Sequence, residues 1–234
     1  MMDALAIIPA RGGSKRIPRK NIRLFLGKPI IAYSIETAIR SNLFSEVMVS
    51  TDDNEIAHIA KENGASVPFP RKAETASDFA GVAEVLAEVI NSYAALGRCF
   101  STACCLFPTA PLLAERDLRA GFDKLEAERF DSVFPVTRFS YPIWRSLRME
   151  GSRVLMNWPE NYVKRSQDLP AAFHDCGQFY WLRVDRFLKA RRVFTENSGA
   201  IELPATCVQD IDTEEDWRLC ELKYKLLHRD LASV

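Results

Sequence analysis

Short apolar runs alternate with amphipathic stretches along most of the chain. Leu5–Ile8 is an apolar run that ends at a basic, glycine-containing loop, the pattern of a buried parallel strand opening onto a site. Gly27-Lys28-Pro29 starts a helix, with Pro29 in its first turn and Ile31, Ser34, Ile35, Ala38 and Ile39 on one face. Glu46–Thr51 predicts a second strand and Asp53–Asn63 a helix stopped at Gly64. Ser77 or Asp78 is placed to cap a helix running to about Leu96. Ser101–Phe107 follows as a third strand, Arg116–Glu128 as a helix and Ser132–Val136 as a fourth strand. This alternation predicts an α/β layer fold with a mainly parallel sheet. In such sheets ligands sit outside the carboxyl ends of the strands. The loops after Pro9, Phe107 and Val136 are therefore the places to seek chemistry.

From Phe139 to Cys176 the rhythm breaks. Ser146–Glu150 and Val154–Trp158 flank Gly151-Ser152, a hairpin signal in a stretch rich in aromatics, Arg and Pro. It reads as an excursion from the sheet, an arm or a lid. Gln178–Val184 returns as a strand. Thr213–Arg229 is an amphipathic helix with Trp217, Cys220, Tyr224 and Leu227 on one side. Residues 1–234 read as one domain, without internal repeats.

Hydrophobic residues make up 47% of the chain, enough for a core that needs no disulfides. Lys plus Arg and Asp plus Glu balance at 31 each, which argues against a nucleic-acid coat or a membrane-surface protein. A local basic pocket stays open. The six cysteines include no C-x-x-C, so a zinc or thioredoxin-like motif has no support. With no charged leader and no apolar span long enough for a membrane, a reducing cytoplasm is the expected compartment.

Within this frame the densest chemistry is at Ala10-Arg11-Gly12-Gly13-Ser14-Lys15-Arg16-Ile17-Pro18-Arg19-Lys20-Asn21. Five cations stand within ten residues, and no acid occurs between Asp3 and Glu36. The glycines let backbone N–H groups turn inward as anion-binding nests do, and the cations suit a triphosphate. The spacing is not that of a Walker A loop. A solvated basic loop or a nucleic-acid patch is the competing reading; the position straight after the first strand favours phosphate. Asp210-Ile211-Asp212 puts two carboxylates on one side of an extended segment, where they can share a hard cation. Asp212 with Glu215 also reads as a capping box for the last helix, and the two roles can coexist. Phe107-Pro108-Thr109-Ala110-Pro111 is a rigid loop at a strand end. His58, His174 and His228 have no ligand spacing.

Taken together, Ile8-Pro9-Ala10-Arg11-Gly12-Gly13-Ser14-Lys15, Pro18-Arg19-Lys20-Asn21, Gly27-Lys28-Pro29 and Val49-Ser50-Thr51-Asp52 resemble the signature of the CMP-sialic acid synthetase family. Arg71 to Asp78, Pro108-Thr109-Ala110-Pro111 and Asp210 to Asp216 match it in order and spacing, so the likeness covers nearly the whole chain. The resemblance implies a three-layer fold of the nucleotide-diphospho-sugar transferase type and a homodimer whose arm is the Phe139–Cys176 excursion. It also implies a reaction of CTP with an acidic nine-carbon sugar that depends on Mg²⁺, with Mn²⁺ as a substitute. Arg11, Lys15, Lys20 and Asn21 would hold the triphosphate, with Ala10 and Arg71 at the cytosine or ribose. Asp210 and Asp212 would hold the metal. Lys20, Arg11 and Asp212 would be the catalytic set.

On the sugar side the resemblance assigns Phe107, Thr109, Trp144, Arg165, Gln178 and Tyr180. Here the chain departs from enzymes acting on N-acetylneuraminate. Phe107 stands where those often carry Gln, Trp144 where they often carry Lys, and Val82 where a small hydroxyl residue is common. Glu160-Asn161-Tyr162, Arg165 to Pro170 and Gly177 to Trp181 are similar to the pseudaminic acid branch, whose sugar is more apolar. N-acetylneuraminate and legionaminate remain the alternatives. A glycosyltransferase using a nucleotide-sugar donor is disfavoured by the number of cations in the first loop. An RNA-binding module is disfavoured because that loop has no interleaved aromatics.

Overall fold

The computed structural model describes residues 3–77 and 80–228. Asp78 as a helix cap and Arg229 at the end of the last helix lie outside the described residues. The chain opens with β1 (Ala4–Pro9), then a two-residue pairing of β2 (Leu24–Phe25) with β3 (Lys28–Pro29). Helix α1 (Ile30–Arg40), β4 (Glu46–Ser50), α2 (Asn54–Glu62), α3 (Ala73–Ala76) and α4 (Val82–Ala95) follow. Next come β5 (Thr102–Leu106), α5 (Glu115–Glu128) and β6 (Ser132–Arg138), then the small hairpin β7 (Leu147–Glu150) and β8 (Arg153–Met156). The chain continues through β9 (Phe173–Asp175), β10 (Phe179–Arg183), α6 (Val184–Ala190), β11 (Ser198–Glu202) and α7 (Glu214–Leu227).

The main sheet runs β11-β6-β10-β5-β1-β4, with β9 added on β6. Strands β4, β1, β5, β6 and β11 point the same way, while β10 and β9 run against them. Pleating sends alternate residues of β1 to opposite faces. Ala4, Ala6 and Ile8 meet Ile31 and Ile35 of α1, Ile56 of α2 and Leu118 and Leu125 of α5. Leu5 and Ile7 meet Leu86, Val89 and Tyr93 of α4 and Phe187 of α6. This is the expected three-layer arrangement. Close packing of α5 needs Gly121, where an added Cβ would come within 2.9 Å of the Phe179 ring.

Several local expectations are corrected. Lys28 and Pro29 belong to a strand pair, and α1 begins only at Ile30. Helix α4 starts at Val82 behind Gly81, whose N–H donates to Glu84 at 2.8 Å, rather than at Ser77. Ile39 is exposed, because the buried face of α1 runs through Ile31, Ile35 and Ala38. Leu227 is likewise exposed, while Trp217 and Cys220 are buried. The cap of α7 is Thr213 paired with Asp216, not Asp212 with Glu215. Helix α6 and strands β9 and β11 are additions the periodicity did not mark. Among the described residues no helix is long and apolar enough to cross a membrane.

Candidate active site

Because β1, β5 and β6 are parallel, the loops that follow them open at the same, carboxyl end of the sheet, and the site lies there; β6 runs two residues beyond the expected Val136, to Arg138. The basic loop leaves β1 with Ala10 buried and its N–H bonded to the Ser50 carbonyl at 2.9 Å. Gly12 N–H then donates to Asp52 at 3.1 Å, and a Cβ on Gly12 would stand 2.6 Å from the Asp53 carboxylate. A side chain at position 12 would displace the Asp53 carboxylate, which Arg19 and the cap of α2 hold in place. Asn21, also buried, donates to the Arg11 carbonyl at 2.9 Å and ties the loop's far end to its start. Arg19 pairs outward with Asp53 and Glu55, so it braces the loop instead of facing a ligand.

The loop encloses a cleft of about 440 Å³, within the range of small-ligand sites. Its lining brings together Arg11, Lys15, Arg16, Lys20 and Asn21 with Arg71, Val82, Phe107 and Thr109. Arg71 is buried and donates to the Ser50 hydroxyl at 3.0 Å and its carbonyl at 2.6 Å. Burial lowers its pKa, with the charge of Asp52 opposing. Phe107 is fixed from both sides: Ser34 donates to its carbonyl at 2.8 Å and its N–H reaches the Gln178 carbonyl at 2.9 Å.

The acidic pair approaches from the other end of the chain. Ile211, between the two aspartates, is buried with Ile17, Phe25, Trp217 and Cys220, so the aromatic cluster under α7 sets its backbone. Lys20 Nζ stands 3.7 Å from the Asp212 carboxylate, and Arg16 reaches its other oxygen at 2.5 Å. Asp210 keeps an exposed edge, yet the protein crowding its carboxyl removes solvent and raises its pKa. The Asp212 charge adds to that rise and Lys20 opposes it. A second cleft, of about 420 Å³, is lined by Thr137, Arg138, His174, Gln209, Asp210 and Asp212, among others.

One observation decides what kind of protein carries this site. A profile of the cytidylyltransferase family matches residues 5–198. The chain belongs to that family. The pseudaminic acid cytidylyltransferase of Campylobacter jejuni is 41% identical over 228 residues, covering 97% of this chain and 98% of its own. The CMP-N,N'-diacetyllegionaminic acid synthase of Legionella pneumophila is 32% identical, over 94% of this chain and 95% of its own. Among solved structures, CMP:2-keto-3-deoxy-manno-octonic acid synthetase complexed with CTP matches with a TM-score of 0.70 at 18% identity. That match covers 97% of this chain and 99% of the solved one, and shows a shared fold.

In this cytidylyltransferase the residues expected for the nucleotide converge, and those expected for the sugar divide. Phe107 and Thr109 line the first cleft. Gln178 and Tyr180 do not: they are 2% and 5% exposed, in the wall behind it. Gln178 donates to the Cys207 carbonyl at 2.7 Å, and the Tyr180 hydroxyl bonds to Asp175. Burial, then Asp175, raises the Tyr180 pKa, so its hydroxyl keeps its proton. Trp144 and Arg165 line neither cleft of their own chain. Trp144 donates to the Pro170 carbonyl at 2.9 Å, and Arg165 pairs with Asp168 at 2.7 Å. Sequence reasoning counted Arg16 among the loop's cations without giving it a role of its own, and passed over Arg138 and Gln209. Arg138 stood in plain view just past the expected strand end at Val136 and is the last residue of β6, whereas Gln209 had no signal beyond its place next to Asp210.

Proposed function

We propose that this cytidylyltransferase joins CMP from CTP to the anomeric hydroxyl of pseudaminic acid, releasing pyrophosphate. The reading rests on one observation above all: a cation-lined cleft and a pair of carboxylates meet at Lys20. The relative at 41% identity bears the name of that activity. The anomeric oxygen forms a bond to the α-phosphorus, the bond from that phosphorus to the bridging oxygen breaks, pyrophosphate carries away the electron pair and the hydroxyl proton passes to solvent.

Arg11, Lys15 and Lys20 hold the triphosphate and offset charge gathering on the leaving pyrophosphate. Arg71 and Ala10 bound the base and ribose end. Phe107 supplies an apolar wall that penalises a sugar burying an unmatched hydroxyl there. Asp210 and Asp212 fit a divalent cation, since a cation would offset both the burial and, second to it, the Asp212 charge that raise the Asp210 pKa. No third carboxylate, imidazole or thiol joins them among the described residues, which suits Mg²⁺ completed by phosphate and water oxygens. Bound Mg²⁺ would lower the charge on the α-phosphate and the pKa of the attacking hydroxyl. The assembly in this reading is a homodimer formed through the arm. The compartment is the cytoplasm, where CTP is made.

The test is pyrophosphate release from CTP with a panel of acidic nine-carbon sugars. Pseudaminic acid should be used best, and Phe107→Gln should narrow its lead over N-acetylneuraminate. Equal or better turnover of N-acetylneuraminate by the unmodified protein would overturn the choice of sugar.

A further inference from the structure

Asp210 and Asp212 line the second cleft, and Asp212 stands 3.7 Å from Lys20 of the first, so the two clefts adjoin at the acid pair and a substrate in each can reach it. An acid of the 2-keto class carries its carboxylate on the same carbon as the attacking anomeric hydroxyl. Wherever that hydroxyl meets the α-phosphate, the carboxylate must lie beside it, next to Asp210 and Asp212. Asp216 lines this cleft as well, so the acceptor meets a wall of like charge and needs a cation there.

The cleft supplies few. Lys223 is already spent, with Nζ on the Ala205 carbonyl at 3.0 Å, the Val208 carbonyl at 2.6 Å and Gln209 Oε1 at 3.1 Å. His174 has Nδ1 against the Asp175 carbonyl at 2.9 Å and its ring against Phe139. Arg138 ends β6, its backbone paired with Phe173 of β9, and its exposed side chain has no hydrogen-bond or ion-pair partner among the described residues. Its planar fork matches a carboxylate bidentately, which an ammonium cannot do.

Building on the cytidylyl-transfer reading, we propose that Arg138 grips the carboxylate of the acceptor sugar in the second cleft and selects for acidic sugars. The Arg165 expected there from the resemblance is paired with Asp168 within its own turn.

The test compares pseudaminic acid with its neutral C1 carboxamide in the CTP-dependent pyrophosphate assay. The unmodified enzyme should prefer the acid. Arg138→Gln should raise the sugar KM roughly 10- to 150-fold, as for loss of a charged hydrogen bond, with the CTP KM unchanged. Its preference for acid over carboxamide should collapse, and Arg138→Lys should restore part of it. The thermal melt of Arg138→Gln should match the parent, since the side chain has no partner to lose; if that variant fails to fold, Arg138→Lys against the two sugars gives the same reading. Retention of the acid preference in Arg138→Gln, or its loss in Arg165→Ala instead, would overturn the assignment while leaving cytidylyl transfer intact. An unmodified enzyme inactive with every acidic sugar would defeat both.

Discussion

Lys20 Nζ donates to the carbonyl of Ile211 at 2.5 Å, and Ile211 is the residue that separates Asp210 from Asp212. One ammonium therefore fixes the backbone of the acidic pair and faces the cleft assigned to the triphosphate. The contact is part-buried, so its electrostatic influence is less screened than that of an exposed pair.

Lys20→Ala should lower turnover about 10²- to 10³-fold, the usual cost of removing one preorganised group facing developing charge. Steady-state pyrophosphate release checks this, alongside CTP binding by calorimetry. Near-normal turnover would remove Lys20 from the catalytic set.

Asp212→Asn should suppress turnover at least about 10²-fold, and excess chelator should stop the unmodified enzyme. Stability should barely change. Thr213 and Asp216 cap α7, so Asp212 is not needed as a cap. Its pairs with Arg16 and Lys20 are partly solvent-exposed, and such pairs are worth about 0–1 kcal/mol. Full activity of the variant, or indifference to chelator, would refute the metal role.

Acid should loosen the loop that carries the cations. Asp53 accepts from Arg19, which holds its carboxyl below the usual range, and it caps α2 through the N–H groups of Glu55 and Ile56. A carboxyl with a lowered folded pKa stabilises fully above its unfolded value of about 3.9 and loses that contribution as pH falls through the folded value. Asp53→Asn should therefore flatten the fall in melting temperature below about pH 4. An unchanged acid limb would show that the Arg19–Asp53 pair is not felt.

The arm leaves Tyr141, Leu147, Met149, Val154 and Tyr162 exposed, an apolar surface of the kind that marks an interface. Sedimentation at micromolar protein should show a dimer, and Leu147→Glu with Met149→Glu should shift it towards monomer. A parent protein that sediments only as monomer would refute the dimer.

Much of this was legible in the chain. Leu5–Ile8 and the core of Ser101–Phe107 read as strands because burial on both faces leaves a continuous apolar run, and Val47-Met48-Val49 marks the shorter edge strand β4. That Arg11, Lys15, Arg16 and Lys20 gather at one cleft was legible because they lie in one loop straight after the first strand. What could not be read is what depends on pairing. The reversed direction of β10 is set by its neighbours β5 and β6, not by Phe179–Arg183 itself. Gln178 and Tyr180 look like polar contacts in sequence, but the partners that draw them inward, Cys207 and Asp175, are found only in the fold. Asp212 with Glu215 mimics a capping box because Asp216, one residue on, supplies the carboxylate that closes the real one.

The contact between Lys20 and Ile211 spans 191 residues of chain. A ribosome adding about 5–20 residues per second needs roughly 10–40 s to cover that distance. Throughout that interval the cationic loop exists without its acidic counterpart, and the cluster of Phe25, Tyr33 and Trp217 that seats Ile211 cannot close. Local helices and the first strand pairs can form meanwhile, but the contact of the loop made first with the Asp210–Asp212 segment has to wait until that segment is made.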